Sequence, residues 1–186
     1  DHRSPWFHLW IRVVLNSYTK KYIEQIIMDY KLPYKVSGNN VYIYGYSVEC
    51  DLLILKQDSK AIFEAPEIYR AEDVITIIES KATGIFIDKK KPKNPFLNEL
   101  CMVKQLNDKG VGVKFAYISL AEQISGRSSR LLDEANRYIN EYSNEKNQNK
   151  GVYCFSKTYP EDEYPLYEGN PYSFDEYIKY LCDDFS

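Results

Sequence analysis

The run VITIIESKATG, Val74 to Gly84, constrains this chain more than any other stretch. Its β-branched residues and lack of helical spacing predict a buried strand over Val74–Ala82. Yet Glu79 and Lys81 are set into it two positions apart. Side chains alternate faces along a strand. Ile75, Ile77, Glu79 and Lys81 are therefore expected on one face, and Val74, Thr76, Ile78 and Ser80 on the other. The run VECDLLIL repeats the anomaly, with Glu49 and Asp51 beside four consecutive aliphatic residues and expected to share a face. If these two strands are neighbours, their charged ends converge.

The surrounding elements follow from local signals. Ser4-Pro5 reads as a helix start, an N-cap serine before a first-turn proline. The helix is expected to run to about Lys31, with a break near Asn16-Ser17, and Pro33 bars continuation. SGNN is a turn, and VYIYGYSVECDLLIL reads as two β segments meeting near Gly45. After a looser stretch with Pro66 comes the Val74–Ala82 strand, then the basic loop DKKKPKNP. FLNELCMVKQLND has helical spacing, with Leu97, Leu100, Cys101, Lys104 and Leu106 mainly on one side and Gly110 as its stop. VGVKFAYISL is a strand, SSRLLDEANRYINEY a helix, GVYCFS a short strand, and SFDEYIKYLCDDF a last helix capped by Ser173. Consecutive strands followed by β-α-β alternation imply a mixed sheet with helices on its faces.

Length and charge limit the alternatives. A chain of 186 residues fits one domain, and no run reaches the ~18 apolar residues of a membrane span. PWFHLWIRVVL is interrupted by His8 and Arg12 and lacks a cleavage site, so it does not read as a signal peptide. The chain starts at Asp1, which suits a fragment of a longer chain. Four scattered cysteines without a CxxC pair argue against a zinc site and fit a reducing compartment, the cytoplasm. The net charge of −3 is uneven: residues 1–120 carry 17 Lys+Arg against 14 Asp+Glu, and residues 121–186 carry 7 against 13. A basic nucleic-acid face could come only from the first part.

Converging Asp51, Glu79 and Lys81 have a natural chemistry. Hard divalent cations take carboxylate oxygens, backbone carbonyls and water. Asp51 and Glu79, with the Ser80 carbonyl between Glu79 and Lys81, are a candidate Mg²⁺ (or Mn²⁺) site. Lys81 is suited to orient or deprotonate a water and to neutralise charge building on a phosphate.

At these residues the chain resembles the PD-(D/E)XK nuclease superfamily, whose signature is an Asp followed by Glu-x-Lys; here Asp51 precedes Glu79 by 28 positions. ECDLLIL followed by AEDVITIIESKAT is similar to a group of uncharacterised bacterial nuclease-like domains. The resemblance implies a restriction-endonuclease-like mixed β-sheet flanked by helices, with an α-β-β-β-α-β core over about residues 5–120. A C-terminal α/β extension, acidic, over about 121–186 completes a single domain. It also implies a metal-dependent endonuclease acting on DNA, of restriction or phage-defence type, with Asp51, Glu79 and Lys81 catalytic. The alternatives are a catalytically inactive module for assembly or nucleic-acid binding, and an RNA- or structure-specific nuclease. Cys50 stands where the proline that names the motif would be.

Several residues are candidates for lesser roles. The superfamily often adds a glutamate from its first helix, and Glu24 is the candidate here. Glu49 reads as a second metal ligand or a solvated neighbour, and Lys104 and Gln105 as substrate contacts or exposed helix positions. Lys89, Lys90, Lys91 and Lys93 of the basic loop, and Arg127 and Arg130, are candidate phosphate contacts. The tyrosines of VYIYGY suit base stacking, although a half-buried strand favours tyrosine anyway. A homodimer or a partner domain is compatible with the chain, and a membrane is not expected.

Overall fold

The computed structural model describes residues 5–83, 95–123, 137, 139–141, 151–158 and 172–183, with side chains over 16–80, 97–118, 137, 139–141, 151–153 and 172–183. Helix α1 (Pro5–Asp29) is continuous through Asn16 and Ser17, so the expected break is absent. Lys31, with φ of 52°, and the Leu32 N–H to Ile27 carbonyl bond close its C-terminus.

The main sheet has the order β1 (Tyr34–Val36), β4 (Leu52–Lys56), β7 (Val74–Thr83), β8 (Lys114–Gln123) and β9 (Val152–Thr158). The first two pairings are antiparallel and the last two parallel. Helix α2 (Pro95–Asp108) connects β7 to β8, and α3 (Phe174–Cys182) ends the described chain. The order α1-β1-β4-β7-α2-β8 is the α-β-β-β-α-β mixed-sheet core expected above, and β9 with α3 supplies the C-terminal α/β extension. Among the described residues no helix is long and apolar enough to cross a membrane.

Two details differ from expectation. The first strand of the main sheet is Tyr34–Val36, and the VYIYGYSVEC stretch instead supplies two strands of a second, four-stranded sheet. That sheet has the order β3 (Glu49–Cys50), β2 (Val41–Ile43), β6 (Glu67–Tyr69) and β5 (Phe63–Glu64). Within β7 the ladder slips: Ile54 faces Thr76 while Leu55 faces Val74, leaving Ile75 as the extra residue of a bulge. Beyond the bulge the faces exchange. Val74 joins Ile77 in one core and Ile75 joins Ile78 in the other, the reverse of uninterrupted alternation.

Each face of the main sheet buries its own core. On one side Leu53, Leu55 and Ile77 pack with Leu100, Val103 and Leu106 of α2 and with Val41, Ile43 and Tyr69 of the small sheet. On the other, Leu52, Ile54 and Ile78 pack with Ile23, Ile26 and Ile27 of α1 and with Tyr177, Ile178 and Leu181 of α3. Rings of Tyr153, Tyr172 and Tyr177 stack beside that second core, which gives several of the tyrosines a packing role.

Candidate active site

Asp51 sits where the chain passes from one sheet to the other, after Cys50 in β3 and before Leu52 in β4. Its carbonyl accepts the Asn40 N–H at 3.2 Å, and its carboxylate Oδ2 accepts the Ser80 N–H at 2.8 Å. Asn40 has φ of 57°, the left-handed turn conformation to which asparagine is suited, so the SGNN turn anchors Asp51 from behind. The β4–β7 ladder ends on the rung Leu52↔Ile78, with Asp51 the residue before Leu52 and Glu79 the residue after Ile78. Leu53 and Ile77 share the α2-side core, and alternation along β7 puts Glu79 on that side.

In a strand, the N–H and C=O of one residue point to the same edge. Because the Ser80 N–H is directed at Asp51, its carbonyl is aimed at the edge where β4 has ended. The Asp51 carboxylate and the Ser80 carbonyl thus lie at the same edge of β7. Asp51 is 0% and Glu79 1% exposed. A carboxylate has about four lone-pair positions, so one N–H bond does not exhaust Asp51 as a donor to a cation.

A third buried acid, which the sequence reading passed over, stands nearby. Glu99 of α2 is 3% exposed. The Cys50 thiol is pushed well above its usual range, first by burial and then by the charges of Glu99, Asp51 and Glu49, in that order. The signal for Glu99 was its spacing: Glu99, Met102, Val103 and Leu106 fall at i, i+3, i+4 and i+7 and are all buried. The expected stripe through Cys101 and Lys104 is instead the solvent side. Even with Glu99, no group of three or more His, Cys, Asp or Glu among the described residues is placed to hold a metal ion. One or two carboxylates with waters are nevertheless what Mg²⁺ commonly takes, so Asp51, Glu79 and Ser80 fit that ion and not an all-protein cage.

The remaining candidates are dispersed. Glu49 is exposed on β3 and accepts the Tyr42 hydroxyl at 3.1 Å, so it and Asp51 do not continue one strand's alternation. Glu24 pairs with Lys20 at 3.7 Å on an outward part of α1. Lys104 pairs with Asp108 at 3.4 Å, and Gln105 beside it is exposed. Lys81 pairs through its backbone with Ser119 of β8, and its side chain lies outside the described residues. Lys89, Lys90, Lys91, Lys93, Arg127 and Arg130 also lie outside them.

No protein-family model matches the chain, and no curated protein is similar to it. Among solved structures it is similar to P. aeruginosa ATCC27853 NucC in its cAAA-bound form, at 15% identity and a TM-score of 0.45 over 67% of this chain and 59% of that one. It is also similar to E. coli MS115-1 NucC in its cAAA-bound form, at 12% identity and a TM-score of 0.42 over 70% of this chain and 66% of that one. The apo form of the E. coli protein aligns at 11% identity and a TM-score of 0.38, over 67% of this chain and 69% of that one. The chain therefore spans less than two thirds of the length of the first two.

Proposed function

We propose that the chain is a metal-dependent endonuclease that hydrolyses DNA phosphodiester bonds, of restriction or phage-defence type. The observation that carries this reading is the buried Asp51 carboxylate held on the N–H of Ser80, the residue after buried Glu79, just before β4 begins. Two buried carboxylates side by side repel each other, and a divalent cation between them offsets that cost.

Mg²⁺ or Mn²⁺, when bound, supplies Lewis-acid stabilisation and a more acidic water. Asp51 and Glu79 would hold it, with the Ser80 carbonyl as the backbone ligand. Asn40 and Ser80 fix Asp51 from two sides, so the site is organised before substrate arrives. Lys81, two residues after Glu79, is assigned to the attacking water and to the charge that develops on the phosphate. The test is cleavage of plasmid, linear and single-stranded DNA with Mg²⁺ or Mn²⁺, beside Asp51→Asn. Cleavage that survives Asp51→Asn unchanged would remove the reading.

The Asp51–Ser80 bond also supports a second reading. It continues the β4–β7 ladder past the end of β4, a purely structural service that a non-catalytic assembly or nucleic-acid-binding module would equally need. Metal binding separates the two. A nuclease site is stabilised against heating by Mn²⁺ in the parent and not in Asp51→Asn, whereas the structural module shows no Mn²⁺ effect in either.

A further inference from the structure

Asp51 lies where the chain crosses between the two sheets, and residues 37–40 make the same crossing from β1 to β2. The two crossings are tied together at both ends. Ser37 pairs with Leu53 twice, donating its N–H to the Leu53 carbonyl at 3.0 Å and accepting the Leu53 N–H on Oγ at 2.8 Å. At the other end the Asn40 N–H reaches the Asp51 carbonyl at 3.2 Å. Between these ties the Gly38 N–H donates at 2.9 Å to Oε2 of Glu67, a half-buried residue of β6 in the small sheet. The Tyr69 hydroxyl donates to that same oxygen at 2.9 Å.

The contact at Gly38 is closely fitted. A Cβ there would lie 2.7 Å from Glu67 Oε1 and 2.9 Å from its Cδ, so the turn and the carboxylate meet because residue 38 is glycine. A carboxylate also accepts a backbone N–H about twice as strongly as a neutral group does. Glu67 thereby fastens the SGNN turn to the small sheet. Asp51 belongs to neither β3 nor β4, and the Asn40 N–H holds its backbone while the Ser80 N–H holds its carboxylate. One turn and two hydrogen bonds connect Glu67 to Asp51. A carboxylate that served only the Tyr69 hydroxyl would have no need of this close approach to the turn.

We propose that Glu67 is a positioning residue for the candidate active site: by holding the SGNN turn through Gly38, it keeps the Asp51 carboxylate on the Ser80 N–H, in place for the cation. The part played by the cation rests on the nuclease reading, whereas the positioning can be read without metal or substrate. Amide hydrogen exchange of the full chain, followed by NMR, reads it at the Ser80 N–H. Relative to Phe115, a buried residue of the neighbouring strand β8, Ser80 should exchange about 10-fold faster in Glu67→Ala. Gly38→Ala breaks the same contact from the other partner and should do likewise. Glu67→Gln keeps an acceptor oxygen and should retain parental exchange. By calorimetry, Mn²⁺ should bind about 10-fold more weakly to both alanine variants and at parental affinity to Glu67→Gln.

Unchanged Ser80 exchange in the two alanine variants overturns the proposal. Equal acceleration at Ser80 and Phe115 also overturns it, because Glu67 then supports the fold as a whole and not Asp51. Glu67→Gln behaving like Glu67→Ala sinks the hydrogen-bond route through Gly38. A parent that binds Mn²⁺, with alanine variants that bind it equally well, removes the link to the cation. Failure of the nuclease reading registers separately, as a parent that neither binds Mn²⁺ nor cleaves DNA while Ser80 exchange still responds to Glu67.

Discussion

The Nζ of Lys114, on β8, lies 2.6 Å from the carbonyl oxygen of Tyr180 near the end of α3. It also donates to the Asp183 carbonyl at 2.7 Å and lies 4.6 Å from the Tyr180 ring centroid. The last carbonyls of a helix have no intrahelical partner, and they carry the negative end of its dipole. A buried lysine from the sheet serves both, which makes α3 part of the body and not an appendage. Lys114→Met removes that charged donor from both carbonyls. Stability to urea should fall by roughly 2–3 kcal/mol, and a loss within experimental error would show that water replaces the lysine at no cost.

Lys81 is expected to act at the transition state. Lys81→Ala should lower the cleavage rate on the order of 10²–10³-fold while Mn²⁺ and DNA affinities stay close to the parent. Single-turnover cleavage and anisotropy on the same preparation separate the two effects. Unchanged cleavage makes Lys81 a structural residue.

Alkaline pH offers a test of the cores. Burial pushes the Cys182 thiol up to about 12, from an ordinary 9.0. Burial and the hydrogen bond to Glu67 push the Tyr69 hydroxyl up to about 12, from 10.0. Both are neutral when protonated, so the unfolded chain releases these protons at lower pH than the folded one. Each contribution is complete below the unfolded value and is lost as pH rises, over pH 9–12 for Cys182 and 10–12 for Tyr69. The slope approaches about 1.4 kcal/mol per pH unit for each group. Urea titrations at pH 8, 9.5 and 11 should show this decline, and Cys182→Ala and Tyr69→Phe should each flatten it.

What was legible in the sequence follows physical rules. Asp51 and Glu79 stood out because an apolar strand does not carry charge without a compensating partner, and both are buried. The long strand at Val74 showed through its β-branched run, and the helices at Pro5 and Phe174 through their starting residues. The small sheet did not, since strands of two or three residues, such as Glu49–Cys50 and Phe63–Glu64, contain no period to read. The Ile75 bulge is decided by pairing with β4, which no local pattern encodes. Glu99 was obscured because Cys101 and Lys104 suggested a different stripe for the same helix.

An acidic segment lies away from a DNA-binding face or shields it. Residues 160–186 hold eight acids and one base, Lys179. Within that span α3 packs Tyr177, Ile178 and Leu181 against Ile78 and Ile118, on the α1 side of the sheet, opposite the side of Ile77 and Glu79. Its Lys179 lies over the Tyr30 ring at 3.3 Å, and Asp175 accepts the Tyr30 hydroxyl at 3.3 Å, so both charges are engaged with the end of α1. Ser173 and Glu176 form a reciprocal capping box at its start. Deleting residues 160–186 would therefore expose the second core, and the truncated chain should fail to fold. Asp175→Asn, by contrast, should leave DNA affinity within about 2-fold of the parent from low to physiological salt, because exposed charges farther apart than a Debye length, about 8–10 Å, are screened. Glu161, Asp162 and Glu163 lie outside the described residues, and their triple neutralisation to Gln, Asn and Gln tests the rest of the tail. If that triple variant raises DNA affinity most at low salt while Asp175→Asn does not, shielding belongs to the stretch before α3. If Asp175→Asn itself raises affinity, α3 reaches the DNA face and the assignment of opposite sides is wrong.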